Sequence, residues 1–203
     1  MTKILDYGLG NIRAFLAAYK TLGIEVSTAS TASELDGATH LILPGVGAFD
    51  DAISRFEASG LRPAVTRLVL EEKRPLLGVC VGMQMLGRGS DEGALKGLGW
   101  IDGEVKRFGA SVGGQPRRVP HMGWNDVRVG CPTRLFAGLD DARFYFLHSY
   151  YFGCDRPADV LATSNYHEDF VCAAASGNVY GVQVHPEKSH QWGCQLLRNF
   201  SEI

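Results

Sequence analysis

The sequence predicts an α/β fold with a central, mostly parallel sheet flanked by helices and with antiparallel strands in the second half. Over residues 1–80, short apolar runs alternate with stretches of helical periodicity, as in parallel sheets wrapped by helices. From about residue 104 the pattern changes to short strand-like runs separated by turn residues. No linker or repeat interrupts the 203 residues, and a chain of this length can bury a sizeable core. We therefore expect one domain spanning residues 1–203.

The first half contains four expected strands and three expected helices. The opening apolar run ends in a glycine turn, after which Ile12, Phe15 and Tyr19 recur at helical spacing. Gly23 then follows, and glycine is a typical residue just past a helix end. The expected strands are residues 3–6, 25–27, 40–43 and 76–79, and the expected helices are residues 12–22, 49–57 and 61–72.

The second half contains six expected strands and a closing helix. Ser176-Gly177-Asn178 separates the last two strand-like runs by so few residues that they are expected to form a hairpin. Leu196, Leu197 and Phe200 are spaced to form the inward face of the closing helix. The expected strands are residues 119–121, 126–129, 143–147, 160–164, 170–174 and 179–184, and the closing helix is residues 190–200.

Composition excludes several classes of protein. The chain has 20 basic and 22 acidic side chains and a formal net charge of -2, without a block of like charge, so binding to nucleic acid or to anionic lipid through phosphates is not expected. No apolar run reaches the length of about 18 residues that a membrane span needs, and the amino terminus does not resemble a signal peptide. We expect a cytoplasmic protein whose partner is a small molecule or another protein.

The cysteines indicate neither a disulfide framework nor a zinc ribbon, because none of the five belongs to a C-x-x-C pair. No metal ion is expected. Four of them lack a distinctive setting and are expected to be structural: Cys131, Cys154, Cys172 and Cys194.

The fifth cysteine, Cys80, lies in residues 77–84, LGVCVGMQ, between an apolar run and a helical pattern, with glycines on both sides. In G-x-S-x-G elbows such glycines permit a tight turn that exposes the central side chain, and the next backbone N–H points into an oxyanion site. The dipole of the following helix would favour the thiolate. Cys80 is therefore a candidate nucleophile; the alternative is a small buried apolar residue, as most free cysteines are.

Residues 181–187, GVQVHPE, supply a candidate base, because His185 ends a strand and Glu187 follows two residues later. This spacing places both side chains on one side of an extended segment, so the carboxylate can orient the imidazole. The alternative is a strand-end histidine whose hydrogen bonds are satisfied by the backbone. His148 also ends a strand, but no acidic residue lies two positions on, so we expect it in a substrate pocket or in the core.

A third motif is the glycine-containing loop of residues 43–48, LPGVGA, after an apolar strand. Gly45 and Gly47 leave the backbone free to turn its N–H groups outward, which would complete an oxyanion site beside Val81 or form a plain strand–helix turn. The segment Gly8-Leu9-Gly10 lacks the third glycine and the downstream acid of a dinucleotide fingerprint, so nucleotide binding is not expected.

Taken together and in this order, the three motifs resemble those of the class I, triad-type glutamine amidotransferases. In that family PGVG is the oxyanion strand, GVCVGMQ is the nucleophile elbow and HPE completes the triad. Within the family the chain is most similar to the glutaminase subunits of imidazole glycerol phosphate synthases, through residues 6–11 (DYGLGN), 120–125 (PHMGWN), 145–150 (YFLHSY) and 185–189 (HPEKS). The resemblance covers essentially the whole chain and implies a flavodoxin-like fold.

The resemblance implies a glutaminase that needs no cofactor. Cys80 would attack the side-chain amide of L-glutamine, His185 would shuttle the protons and Glu187 would orient the imidazole. Main-chain N–H groups would hold the oxyanion. The residues that the resemblance assigns to the oxyanion and to the rest of the substrate are Gly45, Val46, Gly47, Val81, Gln84, Tyr145, His148, Ser149 and Tyr150.

The resemblance also implies a heterodimer with a (βα)8-barrel cyclase subunit, which receives the ammonia and makes imidazole glycerol phosphate and AICAR in histidine biosynthesis. Trp124, Asn125 and Lys188 would lie at that interface. The chain is also similar to a paralogous branch that supplies ammonia for amidation of an acetamido sugar in surface-polysaccharide biosynthesis, through residues 97–101, 143–146, 177–181 and 189–193. Two further alternatives are a non-catalytic regulatory module on the same fold and a cysteine hydrolase or protease of flavodoxin-like fold.

Overall fold

The computed structural model describes residues 1–130 and 132–203. In chain order its elements are β1 (Thr2–Leu5), α1 (Ile12–Leu22), β2 (Val26–Ala29), β3 (His40–Gly45), α2 (Phe49–Ala58), α3 (Arg62–Thr66), β4 (Leu76–Cys80), α4 (Val81–Met85), β5 (Gly103–Arg107), β6 (Ser111–Val112), β7 (Gln115–Pro116), β8 (His121–Asp126), β9 (Arg128–Val129), β10 (Arg143–His148), β11 (Tyr150–Cys154), β12 (Val160–Asn165), β13 (Asp169–Ser176), β14 (Val179–Val182) and α5 (His190–Ser201). Single 3-10 turns span Ala32–Leu35, Arg134–Phe136, Pro157–Asp159 and Pro186–Lys188.

The main sheet has the order β2-β1-β3-β4-β14-β13-β11-β5, and its first five strands are parallel. Strand β4 is apolar and fully buried, and so is β3 after its first residue, His40, as expected of parallel strands that are covered on both faces. Their carboxyl ends lie at the same edge of the sheet. The predicted α/β class with a mostly parallel sheet is therefore confirmed.

The second half is antiparallel, as predicted. Strands β13 and β14 pair as the expected hairpin around residues 176–178, and β11, β5, β12 and β9 extend the same sheet. Strands β8 and β10 form a separate antiparallel pair in which His121 lies opposite His148 and Trp124 opposite Tyr145.

Some sequence-based boundaries were wrong. Residues 119–121 were expected as a strand, but β8 begins only at His121, after Pro120, which has no N–H for a ladder. Residues 126–129 are divided between the end of β8 and β9. Strands β5 and β11 were not predicted. The expected helix 61–72 consists of α3 followed by a π-helical turn, Arg67–Glu71.

Helix α5 fixes the turn that follows β14. The first residue of that turn is Pro186, and a Cβ on Gly193 of α5 would lie 1.8 Å from the Pro186 carbonyl oxygen. Glycine at this position therefore lets α5 contact the backbone of the turn directly. On its other side α5 accepts a hydrogen bond from Tyr19 of α1, whose hydroxyl lies 3.3 Å from the Leu197 carbonyl oxygen.

Candidate active site

A pocket of about 270 Å³ opens at the edge of the sheet where β3 and β4 end and where the chain leaves β14. Open α/β sheets commonly bind ligands outside the carboxyl ends of their strands. The pocket contains Cys80 and His185, although the two are far apart in the sequence. Its lining residues are Val46, Gly47, Cys80, Val81, Gln84, Glu92, Pro120, Leu147, His148, Ser149, Tyr150, His185 and Lys188.

Cys80 lies at the junction of β4 and α4 with a backbone φ of 55° and ψ of -113°. A positive φ is strained for a residue other than glycine, and a strained strand-to-helix turn is the geometry of a nucleophile elbow. A Cβ on Gly82 would lie 1.9 Å from the Leu43 carbonyl oxygen, and a Cβ on Gly45 would lie 2.3 Å from the Gly82 nitrogen. The two glycines therefore allow the close approach of β3 and α4 that holds Cys80 at the pocket.

His185 is held between a carboxylate and the thiol. Its Nδ1 lies 2.9 Å from Glu187 Oε1, and the two side chains are only 4% and 1% exposed. Because Nδ1 is occupied, Nε2 is the nitrogen that remains for the hydrogen bond between His185 and Cys80. Burial by itself lowers the pKa of His185, but the hydrogen bonds and negative charges of Cys80 and Glu187 outweigh it and raise this pKa above its ordinary value. The site favours the protonated imidazolium form of His185.

One buried amide, that of Gln183, also reaches the sulfur, and sequence reasoning missed it. Gln183 donates from Nε2 to Cys80 Sγ at 3.6 Å, and its Oε1 accepts from Gln84 Nε2 at 3.0 Å. The Gln84 amide also donates to the Tyr150 carbonyl oxygen at 3.3 Å. Gln183 precedes His185 by two residues, the same spacing that relates His185 to Glu187, so the sequence did contain a signal for it.

His148 has the opposite electrostatic setting. With both rings neutral, His148 Nδ1 donates to the Tyr150 carbonyl oxygen at 2.8 Å, and its Nε2 accepts from His121 Nδ1 at 3.0 Å. The remaining His121 nitrogen accepts from Asn125 Nδ2 at 3.3 Å. Burial lowers the pKa of His148 to about 3 and the pKa of His121 to about 4. His148 is therefore a neutral residue of the pocket wall, where the sequence had placed it.

The glycine loop after β3 contributes Val46 and Gly47 to the pocket, and Gly47 turns the main chain with a φ of 83°. Gly45 lies behind the pocket, paired with Cys80 across β3 and β4. Val81 is the first residue of α4, so its main-chain N–H has no acceptor within the helix. The main chain at Val46, Gly47 and Val81 is therefore available at the pocket for an oxyanion.

Glu92 is a second pocket residue that the sequence did not reveal. It follows α4 in an irregular loop, and its carboxylate accepts a hydrogen bond from the Phe49 N–H at the start of α2, at 2.9 Å. Asp50 fixes the same loop by accepting from the N–H groups of Ala94 and Leu95 at 2.9 and 3.1 Å. No local pattern around Glu92 predicts this position, because α2 determines it.

Of the other expected substrate-framing residues, Ser149 and Tyr150 line the pocket. Tyr145 is not among the residues that line the pocket. Its carbonyl oxygen accepts from the His185 N–H at 2.9 Å, and its own N–H donates to Ser189 Oγ at 3.0 Å. Tyr145 thus holds the backbone of the residue that faces Cys80.

The expected partner-facing residues divide between two faces of β8. Trp124 is 39% exposed and stacks on His190, with ring centroids 5.2 Å apart and an interplanar angle of 7°. Asn125 lies on the opposite, inward face, where its Nδ2 donates to the Asn165 carbonyl oxygen at 2.7 Å. Lys188 is exposed at the pocket mouth, with its Nζ 5.7 Å from the Tyr145 ring centroid.

The remaining described cysteines are free thiols that are not among the residues lining the pocket: Cys154, Cys172 and Cys194. Burial, with the charges of Asp159 and Asp155, raises the pKa of Cys154 to about 12, and burial raises the pKa of Cys172 as well. Cys131 lies outside the described residues. Within the described part of the chain, no group of three His, Cys, Asp or Glu side chains could hold a metal ion. No helix there is long and apolar enough to cross a membrane.

Comparison with known proteins gives a consistent family. A model of the family described as "Glutamine amidotransferase class-I" matches residues 3–202. The chain is 57% identical to the imidazole glycerol phosphate synthase subunit HisH of Bdellovibrio bacteriovorus, over 100% of both chains. It is 45% identical to the subunit of the same name from Leptospira borgpetersenii, again over 100% of both chains.

Solved structures agree with this at the level of the fold. A crystal structure described as a glutamine amidotransferase superposes with a TM-score of 0.75 at 24% identity, over 99% of this chain and 97% of the other. At that identity the likeness shows the fold alone. The family match and the two full-length relatives carry the assignment further, and the chain therefore belongs to the class I glutamine amidotransferases and, within them, to the HisH subunits of imidazole glycerol phosphate synthase.

Proposed function

We propose that this chain, as one domain spanning residues 1–203, is the glutaminase subunit of an imidazole glycerol phosphate synthase. It hydrolyses L-glutamine to glutamate and ammonia through Cys80, His185 and Glu187, without a cofactor. The observation that carries the proposal is that one pocket holds a strained, helix-terminal thiol beside an imidazole that is itself held by a buried carboxylate. This is the arrangement of a nucleophile, a base and an orienting acid.

In the proposed reaction the Cys80 thiolate attacks the side-chain carbonyl carbon of glutamine. The negative charge moves to the carbonyl oxygen, where main-chain N–H groups of Val81 and Gly47 stabilise it; such donors are commonly worth about 3 to 4 kcal/mol of barrier each. The intermediate collapses as the C–N bond breaks, and the His185 imidazolium gives its proton to the leaving nitrogen, which departs as ammonia. A thioester on Cys80 remains.

Water completes the cycle. The now neutral His185 removes a proton from a water molecule, which attacks the thioester carbonyl and expels the Cys80 thiolate as glutamate forms. Glu187 keeps the imidazole in the orientation that both steps require. The amino-acid end of glutamine carries an ammonium and a carboxylate, and the Glu92 carboxylate and the Gln84, Ser149 and Tyr150 wall supply acceptors and donors for them.

The proposed partner is a (βα)8-barrel cyclase subunit that receives the ammonia, in a cytoplasmic heterodimer that binds neither membrane nor nucleic acid. Exposed apolar side chains beside the pocket support a protein partner: Met122 is 65% exposed, and Leu147, opposite it across β8 and β10, is 38% exposed. Trp124 and Val119 extend this surface. Contiguous exposed apolar side chains typically mark interaction sites. Lys188 at the pocket mouth would lie within the same interface.

The relatives favour this role over the surface-polysaccharide role, because both are named as HisH subunits. A non-catalytic module is not favoured either, since all three triad side chains are present and in contact.

Glutamate release from glutamine by the purified chain tests the proposal, first alone and then with a histidine-pathway cyclase subunit and its ribonucleotide substrate. We expect low activity alone and strong stimulation with imidazole product. The matched control is Cys80→Ala, which should bind the cyclase and release no glutamate. Glutamate release by Cys80→Ala would remove Cys80 from the mechanism, and failure of the cyclase to bind or stimulate would reject the histidine-pathway assignment.

A further inference from the structure

We propose that Gln183 is a fourth catalytic residue, whose side-chain amide donates a hydrogen bond to the Cys80 thiolate and keeps the sulfur charged between turnovers. The inference rests on the proposed role of Cys80 as nucleophile. Gln183 is not a member of the proposed triad of Cys80, His185 and Glu187.

Burial is the first argument. Gln183 is fully buried, and an amide in such a position must find hydrogen-bond partners because an unsatisfied one is costly. The partner of its Nε2 is the sulfur of Cys80, at 3.6 Å. A buried amide costs free energy unless it is hydrogen-bonded, whereas a leucine at this position would pack without that cost. The presence of glutamine here therefore indicates a role for its contact with Cys80.

The orientation of the amide is the second argument, because nitrogen and oxygen must be assigned from the surrounding hydrogen bonds. The Tyr150 carbonyl oxygen can only accept, which fixes the NH2 end of Gln84 towards it at 3.3 Å. The same NH2 group donates to Gln183 Oε1 at 3.0 Å. Since the Gln183 oxygen is engaged there, its NH2 group is the end that faces Cys80.

Charge is the third argument. A hydrogen bond donated to an ionised group favours the ionised form. His185 makes its own hydrogen bond to Cys80, but its proton leaves with the ammonia during turnover. The Gln183 amide cannot give up its proton. It therefore stabilises the thiolate both in the free enzyme and when the thioester breaks and the sulfur departs, when His185 is engaged in proton transfer with water.

The test is the rate at which iodoacetamide alkylates Cys80, measured by mass spectrometry of the Cys80 peptide between pH 5 and 10. This measurement needs neither glutamine nor a partner, so it is independent of the proposed function. Gln183→Met keeps the length and burial of the side chain but has no N–H. We expect its alkylation rate at pH 7 to fall about tenfold or more, since hydrogen bonds to charged groups are among the strong ones. Its limiting rate at high pH should be kept.

Gln195→Met is the matched control, because Gln195 lies on α5, away from Cys80, and donates to Asn199 at 2.8 Å. It should leave the profile unchanged. A purely structural role for Gln183 would lower the alkylation rate at every pH, or not at all, and either result would overturn the proposal. Glutamate release by Gln183→Met should fall by a similar factor in kcat, with KM changed less.

If Gln183→Met does not fold, the wild-type chain still decides the question. The side-chain amide protons of Gln183, observed by NMR with selectively labelled glutamine, should shift with pH in step with the alkylation profile of Cys80. An amide signal that does not respond to ionisation of the thiol would reject the hydrogen bond. Glutamate release by the wild-type chain is measured in parallel, so failure of the proposed function and failure of the amide proposal remain distinguishable.

Discussion

Two walls of the same pocket each present a histidine, His148 at the end of β10 and His185 three residues after β14, and the two imidazoles have opposite electrostatic settings. On the wall after β14, Nδ1 of His185 meets the Glu187 carboxylate, and the pKa of His185 is raised. On the β10 wall, Nδ1 of His148 donates to a carbonyl oxygen and Nε2 meets another imidazole, and the pKa of His148 falls to about 3 because of burial. Burial lowers the pKa of both rings, and the comparison teaches that only at His185 do a neighbouring carboxylate and thiol outweigh it.

The largest expected effect comes from the matched pair His185→Asn and His148→Asn. Asparagine keeps a polar group near Nδ1 and removes Nε2 in both cases. His185→Asn should lower kcat for glutamate release by about 100- to 10,000-fold, as expected for loss of a general acid and base. His148→Asn should lower it by less than about tenfold, since no proton passes through that ring. The measurement is a steady-state assay with the cyclase partner. Equal losses of kcat in the two variants would contradict the different roles of His185 and His148.

A smaller effect is expected from Glu187→Gln, which removes the negative charge beside His185 that the surroundings of His148 do not have. Glu187 Oε2 is buried without a hydrogen-bond partner among the described residues, so His185 provides the main compensation for this carboxylate. The amide keeps the shape but no longer favours the imidazolium, and kcat should fall about 100-fold. The thermal unfolding midpoint should stay within a few degrees of wild type. The exposed Glu202→Gln is the control, and turnover equal to that control would remove Glu187 from the triad.

The smallest effect concerns stability on the second wall. His121 and His148 have lowered pKa values in the folded chain, so between about pH 4 and pH 6.5 the unfolded chain binds more protons than the folded one. The free energy of unfolding should therefore fall as the pH is lowered below 6.5, by up to about 1.4 kcal/mol per pH unit for each histidine. His185 adds little to this slope, because its raised pKa keeps it protonated in the folded chain across this range.

Urea unfolding at pH values from 4.5 to 7 measures that slope. His148→Asn should reduce it, whereas substitution of the exposed His190 by asparagine should not. A slope that is the same in wild type and in His148→Asn would mean that His148 is not held neutral by the fold.

Much of the parallel half could be predicted because its signals are local. The apolar runs of β1, β3 and β4 and the helical period of α1 are visible within short windows. Strands β5 and β11 were missed because they pair with each other across more than forty residues, at registers such as Phe152 opposite Val105. Only one or two side chains of each are buried, so the period-2 signal is weak and pairing decides the structure.

The candidate active site shows the same contrast between features with local sequence signals and features that depend on long-range contacts. The elbow at Cys80 and the pair His185 and Glu187 were visible as motifs with local spacing, and the structure brings their side chains into contact. Glu92 and the His121–His148 bond were not visible, because each depends on contact between segments far apart in the chain. The resemblance implied that Asn125 lies with Trp124 at the partner interface; in the structure these adjacent residues of β8 point to opposite faces, and Asn125 donates to the Asn165 carbonyl oxygen.

The strained backbone at Cys80 has a consequence for how the chain is maintained by selection. A non-glycine residue at φ 55° and ψ -113° costs on the order of 1 to 3 kcal/mol of folding free energy, and glycine would relieve most of it. At position 80, folding stability therefore favours glycine, whereas the proposed turnover requires cysteine. A lineage that had lost the use of its thiol would gain a more stable protein by the single replacement of Cys80 with glycine.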